Sequence, residues 1–126
     1  MKNVLIVSAT DKIGGAEIVL NDFLENNIAH NFYLLTSDEL NIRNFYSQNL
    51  GENKIFGSKN FKGYFFKGIP FKSLKKLFRA IIEVKNLIQN LNIDILYGNN
   101  TKDLFIILFY KIIFNNNIKV ISHIHD

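Results

Sequence analysis

Short apolar runs alternate with longer stretches of helical spacing along almost the whole chain, and this alternation limits the fold more than any other feature. Val4-Leu5-Ile6-Val7 is a β-branched and aliphatic run, the pattern of a strand buried on both faces. Gly14-Gly15 follows, and Ala16 to Asn27 carries helical spacing at Ile18, Leu20, Phe23 and Leu24. Phe32-Tyr33-Leu34-Leu35 reads as a second strand closed by Thr36-Ser37-Asp38. Residues 38–48 form a weaker helical stretch, with Ser37 or Asp38 as its cap. Lys54-Ile55-Phe56 is a short third strand.

Residues 57–70 are irregular, punctuated by Gly57, Gly63, Gly68 and Pro70. The clearest helix comes next: Phe71, Leu74, Leu77, Phe78, Ile81, Ile82, Leu87, Ile88 and Leu91 recur at three and four residues. Residues 93–97 read as a fourth strand leaving through Gly98-Asn99-Asn100. Thr101 is the expected cap of an apolar helix that runs to Phe114, where Asp103 favours the positive end. After Asn115-Asn116-Asn117, residues 118–124 read as a fifth strand. Strands alternating with helices predict an α/β, Rossmann-like three-layer sandwich: a parallel sheet with helices on both faces. The 126 residues make one domain, without internal repeats or low-complexity tracts.

Open α/β sheets bind ligands outside the carboxyl ends of their strands. That rule selects Ala9 to Glu17, Gly98 to Asn100, and His123 to Asp126 as one edge. Gly14-Gly15 opens a helix, where orphan N–H groups and the dipole suit a phosphate or a sugar hydroxyl. The competing explanation is a tight turn that needs positive φ. The pair is not part of a G-x-G-x-x-G dinucleotide fingerprint. Glu17, in the first turn, suits the dipole. His123 and His125 lie two apart and share a strand face. The other histidine, His30, belongs at the opposite edge, so a metal site lacks its third ligand and none is expected. A histidine here is either a surface residue or a donor to a sugar hydroxyl or developing charge.

Composition removes other classes. The chain has no cysteine, which excludes disulfides and cysteine-based zinc sites. Its net charge of +4 permits an anionic partner without selecting one. No secretory signal is legible, and the most apolar stretch, residues 104–114, contains Lys111 and is too short to span a bilayer, so it reads as a buried helix. In residues 59–79 the basic Lys59, Lys62, Lys67, Lys72, Lys75, Lys76 and Arg79 interleave with Phe61, Tyr64, Phe65, Phe66, Phe71 and Phe78. This is either a solvated helix face over core aromatics or a surface for anionic lipid. Nucleic acid is not expected, since no nucleic-acid motif accompanies the segment.

Taken in order, Val4-Leu5-Ile6-Val7-Ser8 leading to Gly14-Gly15-Ala16-Glu17, then residues 94–100, then Val120-Ile121-Ser122-His123-Ile124-His125-Asp126, resemble the N-terminal domain of family 4 glycosyltransferases of the GT-B fold. The resemblance covers essentially the whole chain. It implies one half of a GT-B fold and a retaining transfer of sugar from a nucleotide-sugar to an acceptor hydroxyl, as in cell-surface polysaccharide or glycolipid synthesis. It implies that Gly14, Gly15 and Glu17 approach the donor diphosphate, that Asn99 and Asn100 line the acceptor side, and that His125, with His123 second, contacts the transferring sugar. No cofactor is implied besides the nucleotide-sugar donor. The acceptor would be a glycan or a lipid-linked sugar. The location would be cytoplasmic, peripheral at the inner face of the membrane, with lipid contact through residues 59–79. Residues 1–126 would be the acceptor-side domain, and the donor-binding domain that such enzymes carry next, with its paired glutamates, is not in this sequence. The expectation is a chain inactive alone: a fragment, a truncated gene product, or one subunit of a split enzyme completed by a C-terminal half as a separate chain. A non-catalytic α/β interaction domain or truncated remnant is the alternative, and a flavodoxin-like signalling domain ranks below it, because Asp11, Asp38 and Asp126 do not form its acidic cluster.

Overall fold

A computed structural model describes residues 1–10, 12–26, 29–61, 74–114 and 116–122. Strand β1 spans Asn3–Ser8, helix α1 Gly15–Asn26, β2 Asn31–Ser37, α2 Leu40–Tyr46, β3 Ile55–Ser58, α3 Leu74–Leu91, β4 Ile95–Gly98, α4 Thr101–Phe114 and β5 Lys119–Ser122. The five strands form one parallel sheet in the order β3-β2-β1-β4-β5. This is the expected α/β arrangement, with β1 at the centre.

The period of two along β1 divides the core. Leu5 and Val7 face α3 and α4, meeting Ala80, Ile81, Val84, Ile106, Ile107 and Tyr110. Val4 and Ile6 face α1 and α2, meeting Leu20, Leu24, Ile42 and Tyr46. A residue-by-residue flip of this kind fixes strand register, because a slip of one would turn each apolar side chain to the wrong layer. The run from Val4 to Val7 is apolar throughout because both faces are covered.

Asn3 ties the chain together at the opposite, amino-terminal edge. Its backbone amide donates to Asp94 Oδ2 at 2.9 Å, and its side-chain Nδ2 donates to the carbonyls of Leu91 at 3.1 Å and Asn92 at 3.2 Å. Asn92 follows α3 with a left-handed φ of 53°, the backbone turn that stops the helix and returns the chain to β4.

Three local expectations change. Neither Ser37 nor Asp38 caps α2: Ser37 belongs to β2, the Asp38 amide donates to the Ser58 carbonyl at 3.2 Å, and the N-cap position falls to Glu39 without a side-chain cap. Thr101 does not cap α4. Asn100 does, its Oδ1 accepting from the amides of Lys102 at 3.0 Å and Asp103 at 3.3 Å. The apolar run from 104 to 114 is buried on one side only, since Phe105, Leu108, Phe109, Ile112 and Ile113 are exposed.

Candidate functional site

The order β3-β2-β1-β4-β5 reverses direction at β1 and β4, so their carboxyl ends flank the topological switch point where such sheets take ligands. β1 leaves through Ala9 and Thr10 toward Gly14 and α1. β4 leaves through Asn99 and Asn100 into α4. Gly98 permits the close approach of β4 to α4: a Cβ there would stand 3.2 Å from Ile107 Cδ1 and 3.5 Å from the Leu104 amide.

Asp103 holds the two exits together. It is fully buried, and one carboxylate oxygen accepts the Ala9 amide at 2.7 Å while the other accepts the Asn100 amide at 2.9 Å. With Asn100 Oδ1 accepting the Asp103 amide, Asn100 and Asp103 form a reciprocal capping box. Burial pushes the Asp103 carboxyl up to about 7; its backbone hydrogen bonds to Ala9 and Asn100 oppose the rise, and the Glu17 carboxyl adds to it. The sequence reading gave Asp103 only a dipole role. The Asn-x-x-Asp spacing was the available signal for the cap, but the bond to Ala9, 94 residues away, leaves no local trace.

At α1, the Gly14 carbonyl accepts the Ile18 amide at 3.1 Å, and the Gly14 amide donates to Glu17 Oε2 at 3.3 Å. Glu17 is buried, so it acts as a local cap as well as a partner of the dipole. The turn explanation for the glycines does not hold. Neither Gly14 nor Gly15 has a left-handed φ, a Cβ at Gly14 would meet only Glu17 Oε2 at an ordinary 3.5 Å, and a Cβ at Gly15 would meet nothing within 4 Å. The fold therefore accommodates a side chain at both positions.

A buried polar group lies beneath this helix start. Val7 pairs with Gly98, so Ser8 and Asn99 follow on neighbouring strands. Alternation turns Ser8 to the α1 and α2 layer, where Tyr46 and Glu17 are also buried. Among the described residues, both amide atoms of Asn99 have no hydrogen-bond partner, and Ser8 Oγ and the Tyr46 hydroxyl have none besides each other. Burial pushes the Tyr46 hydroxyl well above its ordinary range; the Ser8 hydroxyl opposes this, and the carboxyls of Glu17 and Asp103 reinforce it. Ser8 and Tyr46 were not legible as site residues, since each reads in sequence as part of an ordinary strand or helix.

The edge thus brings together Gly14, Gly15, Glu17, Asn99 and Asn100. His123, His125 and Asp126 lie outside the described residues, as do Lys62 to Ser73, which hold most of the basic and aromatic segment. Of that segment's described part, Phe61 is core while Phe78 is exposed. His30 sits at the amino-terminal edge, its Nδ1 accepting the Lys2 amide at 3.2 Å. A recess of about 450 Å³ lies on that same edge, lined by His30, Phe32 and Lys54, away from the glycine turn. No group of three or more potential metal ligands occurs among the described residues, and none of their helices is long and apolar enough to cross a membrane.

Fold and site define an open parallel α/β protein of Rossmann-like type with buried polar side chains at its switch point. No family model, curated protein or solved structure matches the chain.

Proposed function

We propose that the chain is the acceptor-side half of a retaining GT-B glycosyltransferase, acting on a nucleotide-sugar donor and a glycan or lipid-linked acceptor in cell-surface polysaccharide or glycolipid synthesis. One observation carries the reading. Gly14 and Gly15 open α1 at the switch point in ordinary backbone conformations with room for a Cβ. Gly14 is the N-cap, where glycine is tolerated, but Gly15 begins the helix, where glycine costs stability and the fold does not require it. Close approach of a ligand to the backbone supplies the missing reason, and the orphan first-turn amides of α1 suit a diphosphate. Glu17 and Asp103 put two carboxyls near the start of α1, so the cations that neutralise a diphosphate come from a second, donor-binding half. The Asn99 amide offers both donors and an acceptor, which matches hydroxyl groups. By the resemblance, His125 contacts the transferring sugar, with His123 second. Peripheral contact with the inner face of the cell membrane through residues 59–79 belongs to the same reading.

In the chain joined to a donor-binding half, His125→Ala should lower sugar transfer by at least about 100-fold while the far-ultraviolet circular dichroism stays unchanged, the scale expected for loss of one positioned acid–base or charge-stabilising group. Near-normal transfer by that variant would remove the histidine from the mechanism. The alternative, a non-catalytic interaction domain, draws on the exposed apolar face of α4; it expects no transfer from either form.

A further inference from the structure

The recess of about 450 Å³ at the amino-terminal edge of the sheet lies at the end opposite the start of α1. The length of α2 accounts for it. Its seven residues rise about 10 Å, whereas the seven residues of β2 run about 23 Å. The helix ends before it covers the first residues of β2, and Leu24, Phe32 and Leu50 form an apolar floor there. The volume falls within the range of small-molecule sites.

The polar lining offers mostly donors. His30 Nδ1 accepts the Lys2 amide at 3.2 Å, so the neutral ring carries its hydrogen on Nε2, which is then a donor. Lys54 Nζ donates to Asn31 Oδ1 at 3.5 Å and keeps further hydrogens for a ligand. The acceptors nearby are largely taken. The last carbonyls of α2 are satisfied: Arg43 by the Ser47 amide, Asn44 by the Ser47 hydroxyl, Phe45 by Asn21 Nδ2, and Tyr46 by the amides of Asn49 and Leu50. No carboxylate lines the recess among the described residues, and the Lys54 ammonium gives it a positive charge. An apolar floor beside a cation and an imidazole donor suits a small ligand with an apolar body and one carboxylate. A more highly charged anion is disfavoured, because the negative ends of α1 and α2 point to this edge.

We infer that this recess binds a small aromatic or branched aliphatic monocarboxylate, at a site separate from the start of α1. The test is a titration of the full isotope-labelled chain with phenylacetate, and with phenylacetamide as its uncharged counterpart, at constant ionic strength. Phenylacetate should shift the amides of His30 to Phe32 and Leu50 to Lys54 with a dissociation constant of roughly 1–10 mM, the affinity of a ligand of about ten non-hydrogen atoms. Phenylacetamide should bind at least about 5-fold more weakly, and Lys54→Met should weaken phenylacetate by a similar factor with unchanged circular dichroism. Lys75→Met, at an exposed lysine on α3, should leave binding as in wild type. No shift up to about 30 mM phenylacetate, or shifts that do not cluster on the recess, overturns the inference. Equal binding of phenylacetamide, undiminished binding by Lys54→Met, or an equal loss in Lys75→Met overturns it as well.

Discussion

The Asp103 carboxylate accepts the Ala9 backbone amide at 2.7 Å, joining the exit of β1 to the first turn of α4 across the switch point of the sheet. Its other oxygen holds Asn100, so one buried acid sets the spacing of both loops at the switch point. Burial works against its charged form and raises it from 3.8 to about 7. Because the folded value lies above the unfolded one, the contribution of Asp103 to stability is fully present below pH 3.8 and is lost as pH rises through about 7. The loss should be on the order of a few kcal/mol, at about 1.4 kcal/mol per unit of pKa difference. Chemical denaturation of wild type and Asp103→Asn between pH 4 and 8 reads it as the difference between the two curves. Wild type should lose its advantage as pH rises, and parallel curves would show that Asp103 does not titrate in that interval.

Asn99 carries two buried amide atoms that no described residue satisfies. Leaving them unpaired costs stability, and an apolar residue of similar shape avoids that cost. Asn99→Leu should therefore be neutral or more stable by up to about 1–2 kcal/mol in urea denaturation. The variant should also lose affinity for a hydroxyl-bearing ligand. A large destabilisation instead would mean that the amide already has its partners in the fold.

Asn92 ends α3 in a left-handed conformation at φ 53°. Glycine adopts that conformation without a Cβ clash, and β-branched residues adopt it poorly. Asn92→Gly should stabilise the protein or leave it unchanged, while Asn92→Val should cost about 1–2 kcal/mol. Thermal unfolding distinguishes them, and equal midpoints for the two variants would rule out backbone strain as the reason for asparagine.

Most of the fold was legible because its signals are local. The run from Val4 to Val7, the spacing of α3 and the Gly14-Gly15 start of α1 each declare an element within a few residues. The parts that escaped depend on distant partners. Ser37 and Asp38 look like a helix cap in sequence, yet β3 draws Ser37 into the sheet and takes the Asp38 amide onto Ser58. Asp103 looks like a helix-dipole residue until Ala9 comes beside it. The uniform apolarity of residues 104–114 hides which face is covered, because an α-helix with apolar residues all round has no periodicity to read. At the site, the strand-end rule found Gly14, Gly15, Glu17, Asn99 and Asn100, while Ser8 and Tyr46 became visible only through the register of β1 with β4 and their burial together.

The Gly14-Gly15 start of α1 offers the most direct test of sugar-nucleotide binding. Amide resonances of the isotope-labelled chain, joined to a donor-binding half, would be followed during titration with UDP-glucose and GDP-mannose, for wild type and for Gly15→Ala. The expected result is a set of shifts from Gly14 to Ile18 and at Asn99 and Asn100 in wild type with at least one donor. These shifts should vanish in Gly15→Ala, a variant more stable than wild type by a few tenths to about 1 kcal/mol. No shift in wild type with either donor, or undiminished binding by Gly15→Ala, would contradict a ligand seated on the start of α1.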